Sequence, residues 1–414
     1  MIIKLGKYEW ALPNDQIRLN CFVVGIALLP IYIKLMGTLG EILSFSTTFT
    51  TYLYYGLMWI LLIGSYRQLL KRITGKVMLG ALFVLGYILI TGFLHPLSQK
   101  YIWNGDLFSY ITFQPGGLIQ SALFLFIGLA VTDIENLSIL LHKWSRIGIF
   151  VAALTYALML IKGISIHYDD MSTAYSICMV LCILVTHKEN GDLKYILLGA
   201  VCLILSGTRG PIVCFIAAVL FRFVIFEENL RRKFIGMILC LLAMVFLFSD
   251  SGFHLLSQMG NMLSRLGVEQ LRFLDYLNEG MLLDSSGRDQ FTQVLLEAIR
   301  VQPILGYGFG GDRLILPNGS YAHNIVIEVF VEMGVVFGGA FLLWVAYLSM
   351  RGFTSKNTYI RRISIGLFCA TVVKLFFSSS LIISKEFFLY LGICMAACTA
   401  MNHNRRYRDG EGVL

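Results

Sequence analysis

Residues 325–350 read IVIEVFVEMGVVFGGAFLLWVAYLSM, with Glu328 and Glu332 as the only charged side chains. A helix needs roughly 20 apolar residues to cross the hydrocarbon layer of a bilayer, so this run is long enough to span one. Comparable runs lie at about 19–36, 42–65, 77–94, 114–132, 147–163, 171–187, 194–207, 211–227, 234–249, 363–380 and 386–402. Period alone does not separate a buried helix from a strand in such runs, but their length favours helices. The run at 194–207 is short and is kept because dropping it inverts the charge pattern downstream. The whole chain of 414 residues is 57% hydrophobic and 14% charged, against about 45–50% and about 25% in soluble proteins. A soluble globular enzyme, a disordered chain and a nucleic-acid module are therefore poor readings. The expected fold is an all-α polytopic membrane protein with about 12 transmembrane helices.

The net charge of +8 has a topological meaning here, because Lys and Arg collect on the cytoplasmic side. With the N-terminus inside, the inner segments hold Lys4, Lys7 and Arg18; Arg67, Lys71, Arg72 and Lys76; Lys143 and Arg146; Lys188 and Lys194; Arg222, Arg231, Arg232 and Lys233; Arg351, Lys356, Arg361 and Arg362; and Arg405, Arg406 and Arg408. That is two thirds of the 33 basic residues, so both termini are expected to be cytoplasmic. The remainder lie outside or near outer helix ends, and five of them sit in one long outer loop, 250–322. The expected organisation is thus an N-terminal tail and spans one to nine (1–249), the outer loop (250–322), spans ten to twelve (323–402) and a cytoplasmic tail (403–414). Within the loop, Phe291, Val294, Leu295, Ala298 and Ile299 recur at helical spacing, Ser286 and Asp289 resemble a capping box, and Pro303 closes the segment. Residues 252–266 show a similar amphipathic pattern suited to a membrane surface.

All nine cysteines lie in apolar stretches. Cys178/Cys182 and Cys394/Cys398 have helical spacing, but a metal would need further ligands nearby, so packing is the better account. No internal repeat is evident. The N-terminal residues lack a basic stretch followed by a short apolar run and a small-residue cleavage site, so no cleaved signal peptide is expected.

Four outer segments carry candidate chemistry. The turn Ser206-Gly-Thr-Arg-Gly-Pro211 opens span eight, with Thr208 as a cap and Pro211 in the first turn. Arg209 there meets either a phosphate at the helix N-terminus or lipid headgroups. Arg288 precedes the loop helix and either faces an anionic ligand or pairs with Asp289 or Asp284. Gly306-Tyr-Gly-Phe-Gly-Gly-Asp312, followed by Arg313, lacks the strand of a nucleotide-binding loop. It reads as a flexible turn where backbone approaches a ligand or the membrane. Finally, Asn324, Glu328 and Glu332 form one polar stripe on span ten. Ionisable groups at such depth are functional candidates; the alternative is pairing with another span, for instance through Lys374. His323, at the mouth of that helix, suits proton transfer.

With these residues in view the chain resembles the O-antigen polymerase and O-antigen ligase superfamily of bacterial inner-membrane glycosyltransferases. The shared features are the Ser-Gly-x-Arg-Gly turn (206–210), the Gly-Arg helix start (287–288), the Pro-x-x-Gly-x-Gly turn (303–308), and His-Asn followed by Glu and Glu-x-Gly (323–334). The resemblance implies a GT-C-like fold with the site at the outer (periplasmic) face and a donor sugar carried on undecaprenyl pyrophosphate. It also implies no nucleotide sugar, no metal or other cofactor, and a chain-length regulator as a partner besides membrane lipids. The implied catalytic residues are His323 as base, with Glu328 or Asp289 in reserve, and Arg288 and Arg209 on the leaving pyrophosphate. Arg265, Arg272, Arg300, Arg313, Asn324, Glu328, Glu332 and Tyr307 are expected to contact substrate. Both the Ser-Gly-Thr-Arg-Gly-Pro turn and the Tyr-Ala-His-Asn segment look more like a polymerase than a ligase. A secondary transporter is the rival from another class. It would show repeated halves and a site nearer the midplane, whereas convergence of Arg209, Arg288 and His323 at an outer cavity favours the enzyme.

Overall fold

The computed structural model describes residues 2–5, 8–11, 14–164, 171–187, 189–206, 208–247 and 288–408, together with single residues 249, 251, 254, 258 and 262. Among the described residues, the regular structure is helical apart from a short antiparallel hairpin, β1 (Ile2–Leu5) and β2 (Tyr8–Ala11), with Ile2 opposite Ala11. The first helices are α1 (Asp15–Leu43), α2 (Thr48–Gly64), α3 (Tyr66–Leu70), α4 (Gly75–Leu94), α5 (Gln99–Ile102) and α6 (Leu107–Thr112). Next come α7 (Leu118–Ala130), α8 (Ile134–Ile161), α9 (Met171–His187), α10 (Asp192–Leu205), α11 (Arg209–Phe221) and α12 (Leu230–Leu247). The chain continues through α13 (Arg288–Val301), α14 (Gly311–Ile315), α15 (Ile325–Phe353), α16 (Thr358–Leu375) and α17 (Lys385–Arg408). Among the described residues, four helices are long and apolar enough to cross a membrane: α1, α4 over Val77–Leu94, α8 and α15.

Three boundaries differ from the sequence reading. First, α8 starts at Ile134, well before the apolar run at 147, because Asp133 accepts a hydrogen bond from the Asn136 amide and Leu137 and Leu141 are already core residues. Its early turns are tied to α9 and α10: Arg146 donates to Asp192 at 2.7 Å, His142 lies 3.0 Å from the same carboxylate, and Ser138 pairs with His187 at 2.6 Å. Second, α16 stops at Leu375, although the apolar run continues to 380, leaving 376–384 outside regular helix. Third, α15 is interrupted at Gly334, whose φ of 72° and ψ of 170° are not helical. The second and third departures prove central to the site.

Helix α9 is buried on every side, from Thr173 to His187 with one exception, and packs against α1, α8, α10, α11 and α16. That explains why its sequence is apolar all round. Its cysteines pack toward α11: Cys178 donates to the Pro211 carbonyl at 3.2 Å, and Cys182 to the Cys214 carbonyl at 3.7 Å. All nine cysteines are free. Pro30 lacks the amide that α1 would need there, and α9 packs beside it. The Ser176 hydroxyl donates to the Ala27 carbonyl at 2.5 Å, and Thr173 donates to the Pro30 carbonyl at 3.4 Å.

Helices α7 and α17 cross backbone to backbone at Gly128 and Gly392. A Cβ on either would collide with the other helix's main chain, at the Leu389 and Leu125 carbonyls respectively. Small residues allow such close approach where hydrophobic driving force between helices is weak. Gly128→Leu should therefore lower the stability of the solubilised protein by about 2–3 kcal/mol, read as a drop in Tm. Gly86→Leu on α4, where an added Cβ meets open space, should leave Tm unchanged.

Candidate active site

The loop 303–311 and the interrupted helix α15 form one unit. At the break, the Val335 amide donates to the Pro303 carbonyl at 2.7 Å rather than to Val331 one turn back. The Val331 carbonyl accepts from the Tyr307 amide at 2.7 Å, and the Glu332 carbonyl from Gly308 at 2.9 Å. Three main-chain groups around the interruption thus find partners in the loop, as a buried backbone requires. A Cβ on Gly334 would strike the Ile304 carbonyl, and one on Gly306 would strike that of Val331. Gly306, Gly308 and Gly310 all have positive φ, at 66°, 77° and 74°. The expectation of a flexible turn approaching a ligand is corrected here: these glycines are buried, Gly306 against the α15 backbone, Gly308 against Ser98 and Thr91, and Gly310 against the Tyr101 ring.

Three acids follow from this packing. The Glu332 side chain is fully buried; its Oε1 accepts from the Gly310 amide at 2.8 Å, and its Oε2 has no hydrogen-bond partner among the described residues. Glu328, also fully buried, accepts from the Ser380 hydroxyl and from the Leu381 amide at 3.0 and 2.9 Å. Asp312 accepts from the Ala322 amide at 2.9 Å and from the Arg313 amide at 2.8 Å. The Arg313 guanidinium lies among them, 3.1 Å from Asp312 and 3.8 Å from Glu328, and donates to Ser380 at 2.5 Å. The rings of Tyr101 and Tyr321 lie 5.7 and 5.5 Å from it. Burial pushes the Asp312 carboxyl above its ordinary range, while Arg313 and the two amides pull it down. Burial also works against the Arg313 charge, but Asp312, Glu328 and Glu332 outweigh it and raise its pKa.

The alternative that the stripe pairs with Lys374 is not what the structure holds. The Lys374 ammonium lies 4.0 Å from Glu386 and 4.5 Å above the Tyr175 ring. Asn324 is the N-cap of α15, its side-chain oxygen accepting from Val326 at 3.0 Å and Ile327 at 3.4 Å. His323, just before it, has a left-handed backbone (φ 54°), uncommon for a side chain of its size. Its ring lies against Tyr321, with centroids 3.9 Å apart, and the Tyr321 hydroxyl donates to the Ser378 carbonyl at 3.4 Å.

Arg209 is the first residue of α11, beginning after Thr208, whose side chain makes no cap bond and instead lies 3.1 Å from Ser206. A Cβ on the next residue, Gly210, would collide with the Tyr175 hydroxyl and lie 3.1 Å from Ser378. Tyr175, Ser378 and Tyr321 line a single cavity of ≈ 220 Å³. The start of the Arg209 helix and the aromatic partner of His323 therefore flank the same space. Arg288 is the first residue of α13. That helix packs Leu295, with Phe291 and Ile299, onto Leu316, Ala322 and Val331, and Ala298 is buried as well. Val294, expected on this apolar face, is exposed. Arg300 also faces outward and pairs with Glu297 at 2.7 Å. The Tyr307 ring lies 5.8 Å from His95, after α4. Arg265, Arg272, Ser286 and most of 252–266 lie outside the described residues.

Sequence reasoning missed Asp312, Ser380 and Tyr101 as parts of this network. The triple serine Ser378–Ser380 at the end of an apolar run was an available signal. Arg313→Met should destabilise the protein by about 3–5 kcal/mol by leaving two buried carboxylates unpaired, measured by thermal unfolding. Combining it with Asp312→Asn should cost less than the sum of the single changes, because the two side chains are in contact.

Comparison with curated proteins and with solved structures gives no match. Residues 195–345 match the family model described as O-Antigen ligase, a stretch running from α10 through α15 and containing the starts of α11 and α13 and the His323–Gly334 segment. The match covers just over a third of the chain and shows that this stretch is similar to that family.

Proposed function

We propose that the protein is an O-antigen polymerase. It would transfer a growing glycan from undecaprenyl pyrophosphate onto the next lipid-linked repeat unit at the outer face of the bacterial inner membrane. The reading includes twelve spans, cytoplasmic termini and a periplasmic loop at 250–322. The observation that supports it is the cavity lined by Tyr175, Tyr321 and Ser378, with the first turn of α11 against Tyr175 and Ser378 and the His323 ring against Tyr321.

In this reading an acceptor hydroxyl attacks the anomeric carbon, its proton passes to the His323 imidazole, and the bond from that carbon to the pyrophosphate oxygen breaks. Charge grows on the leaving pyrophosphate, where Arg209, Arg288 and the positive end of the α11 dipole stabilise it. No metal or nucleotide is needed for such a step. Glu328, Glu332 and Arg313 are engaged with backbone amides, Ser380 and Asp312, so their role is to hold the re-entry of α15 in place. Asn324 does the same by capping it. Tyr307, Arg265, Arg272 and Arg300 remain as sugar or phosphate contacts, and a chain-length regulator as a partner.

A ligase that passes the glycan to lipid A core is the second reading, favoured by the description of the matching family. A transporter is disfavoured because the grouped residues lie at helix ends.

The test mixes purified protein with one synthetic undecaprenyl-pyrophosphate repeat unit and separates the products on a gel. The expected result is a ladder of polymer. His323→Ala and Arg288→Ala should each lower its rate by on the order of a hundredfold or more, with Tm unchanged. Single transfer only when lipid A core is supplied would establish the ligase. Neither product from intact substrate would overturn both.

A further inference from the structure

The basic residues that escape the inner-side bias outside the long loop are Lys34, Lys100, Lys162, Arg209, Lys374 and Lys385. Three of them line two neighbouring cavities beside Pro30. Lys374 and Lys385 line the ≈ 220 Å³ cavity, and Lys385 also lines a second one of ≈ 530 Å³ together with Lys34. The two cavities share Pro30, Pro115, Ser172 and Lys385, and each is many times the volume one water molecule needs.

The charges in the smaller cavity do not cancel. Lys374 and Lys385 face one carboxylate, Glu386, which lies 4.0 Å from the Lys374 ammonium, at the outer limit of an ion pair. Lys385 is 7% exposed, and its ammonium donates to the neutral carbonyl of Phe113. An ammonium carries three donors, and a buried cation without a full anionic partner is costly. The first turn of α11 abuts the wall at Tyr175 and Ser378, adding the positive end of a helix dipole. Tyr175, Ser378 and Ser379 also line it, among apolar residues such as Ile26, Met179 and Ile383, and their hydroxyls suit phosphate oxygens.

We infer that this cavity is a binding site for the phosphate headgroup of a membrane lipid, held by Lys374 and Lys385. Two sources share that chemistry: a bulk anionic phospholipid, and the pyrophosphate of a lipid-linked sugar. The second source rests on the polymerase reading, in which two lipid pyrophosphates, donor and acceptor, must be held at once.

Binding rather than turnover tests it. The full-length protein, in phosphatidylcholine nanodiscs, is titrated with farnesyl diphosphate, with farnesol, and with phosphatidylglycerol as competitor. The diphosphate should bind at least about tenfold tighter than farnesol. Lys374→Gln should remove about tenfold of that affinity, the scale of one charged hydrogen bond; Lys374→Arg should restore it, and Glu386→Gln should tighten binding. Full displacement by phosphatidylglycerol would assign the site to bulk lipid, and resistance to it would assign the site to the lipid diphosphate. Equal affinity for farnesol and farnesyl diphosphate, or no change on Lys374→Gln, would overturn the site. Lys374 is partly exposed (15%), so it carries the test should Lys385→Gln fail to fold. A polymer ladder from a protein that shows no diphosphate preference in this cavity would overturn the site while leaving the glycosyltransferase reading standing.

Discussion

A helix interrupted inside an apolar environment must find new partners for its freed main-chain groups, because neither lipid nor packed side chains supply them. At Gly334 those partners come from a loop that precedes the helix in sequence. Tyr307 and Gly308 donate to the Val331 and Glu332 carbonyls, and Pro303 accepts from Val335. Much of the surrounding architecture follows from that exchange. The loop must coil tightly, which requires the positive φ of Gly306, Gly308 and Gly310. Coiling in turn delivers Asp312 and Arg313 to the first turns of α15, where Glu328 waits.

The acids and Arg313 then act as a clasp between two segments distant in the chain. Glu328 receives the Leu381 amide and the Ser380 hydroxyl, and Arg313 reaches Ser380 as well. This gives the non-helical stretch 376–384 a fixed course and explains why α16 ends at Leu375 although the apolar run continues. The same stretch turns Ser378 toward Tyr321 and Tyr175. A polar network at the mouth of α15 thus shapes the cavity that Tyr321, the ring partner of His323, lines and the start of α11 abuts. Buried carboxylates in this position serve geometry first: they accept main-chain amides that would otherwise be unsatisfied.

Much of the helical architecture was legible in the sequence, because run length and composition report helices directly, and each of the twelve apolar runs contains one. The helix α13 was legible too, since the spacing of Phe291, Leu295, Ala298 and Ile299 is a property of one helix face. Boundaries were less so. The early start of α8 depends on Leu137 and Leu141 meeting a core, and the early end of α16 on Ser380 meeting Glu328. Each needs a partner more than forty residues away.

The site divides along the same line. By itself the sequence determined which segments carry reactive side chains and which helices they begin, because caps, prolines and motif spacing act over a few residues. It also picked out Glu328 and Glu332 as polar groups in an apolar helix. Only the tertiary structure decided that these glutamates hold backbone amides, that Arg313 is turned inward onto Asp312 and Ser380, and that the glycine turn fills a helix break. It alone brought Lys374 and Lys385 to one cavity with Tyr175 and Tyr321. The physical reason is that hydrogen bonds and ion pairs act over a few ångströms in space, whereas the residues that make them here lie tens to hundreds of positions apart along the chain.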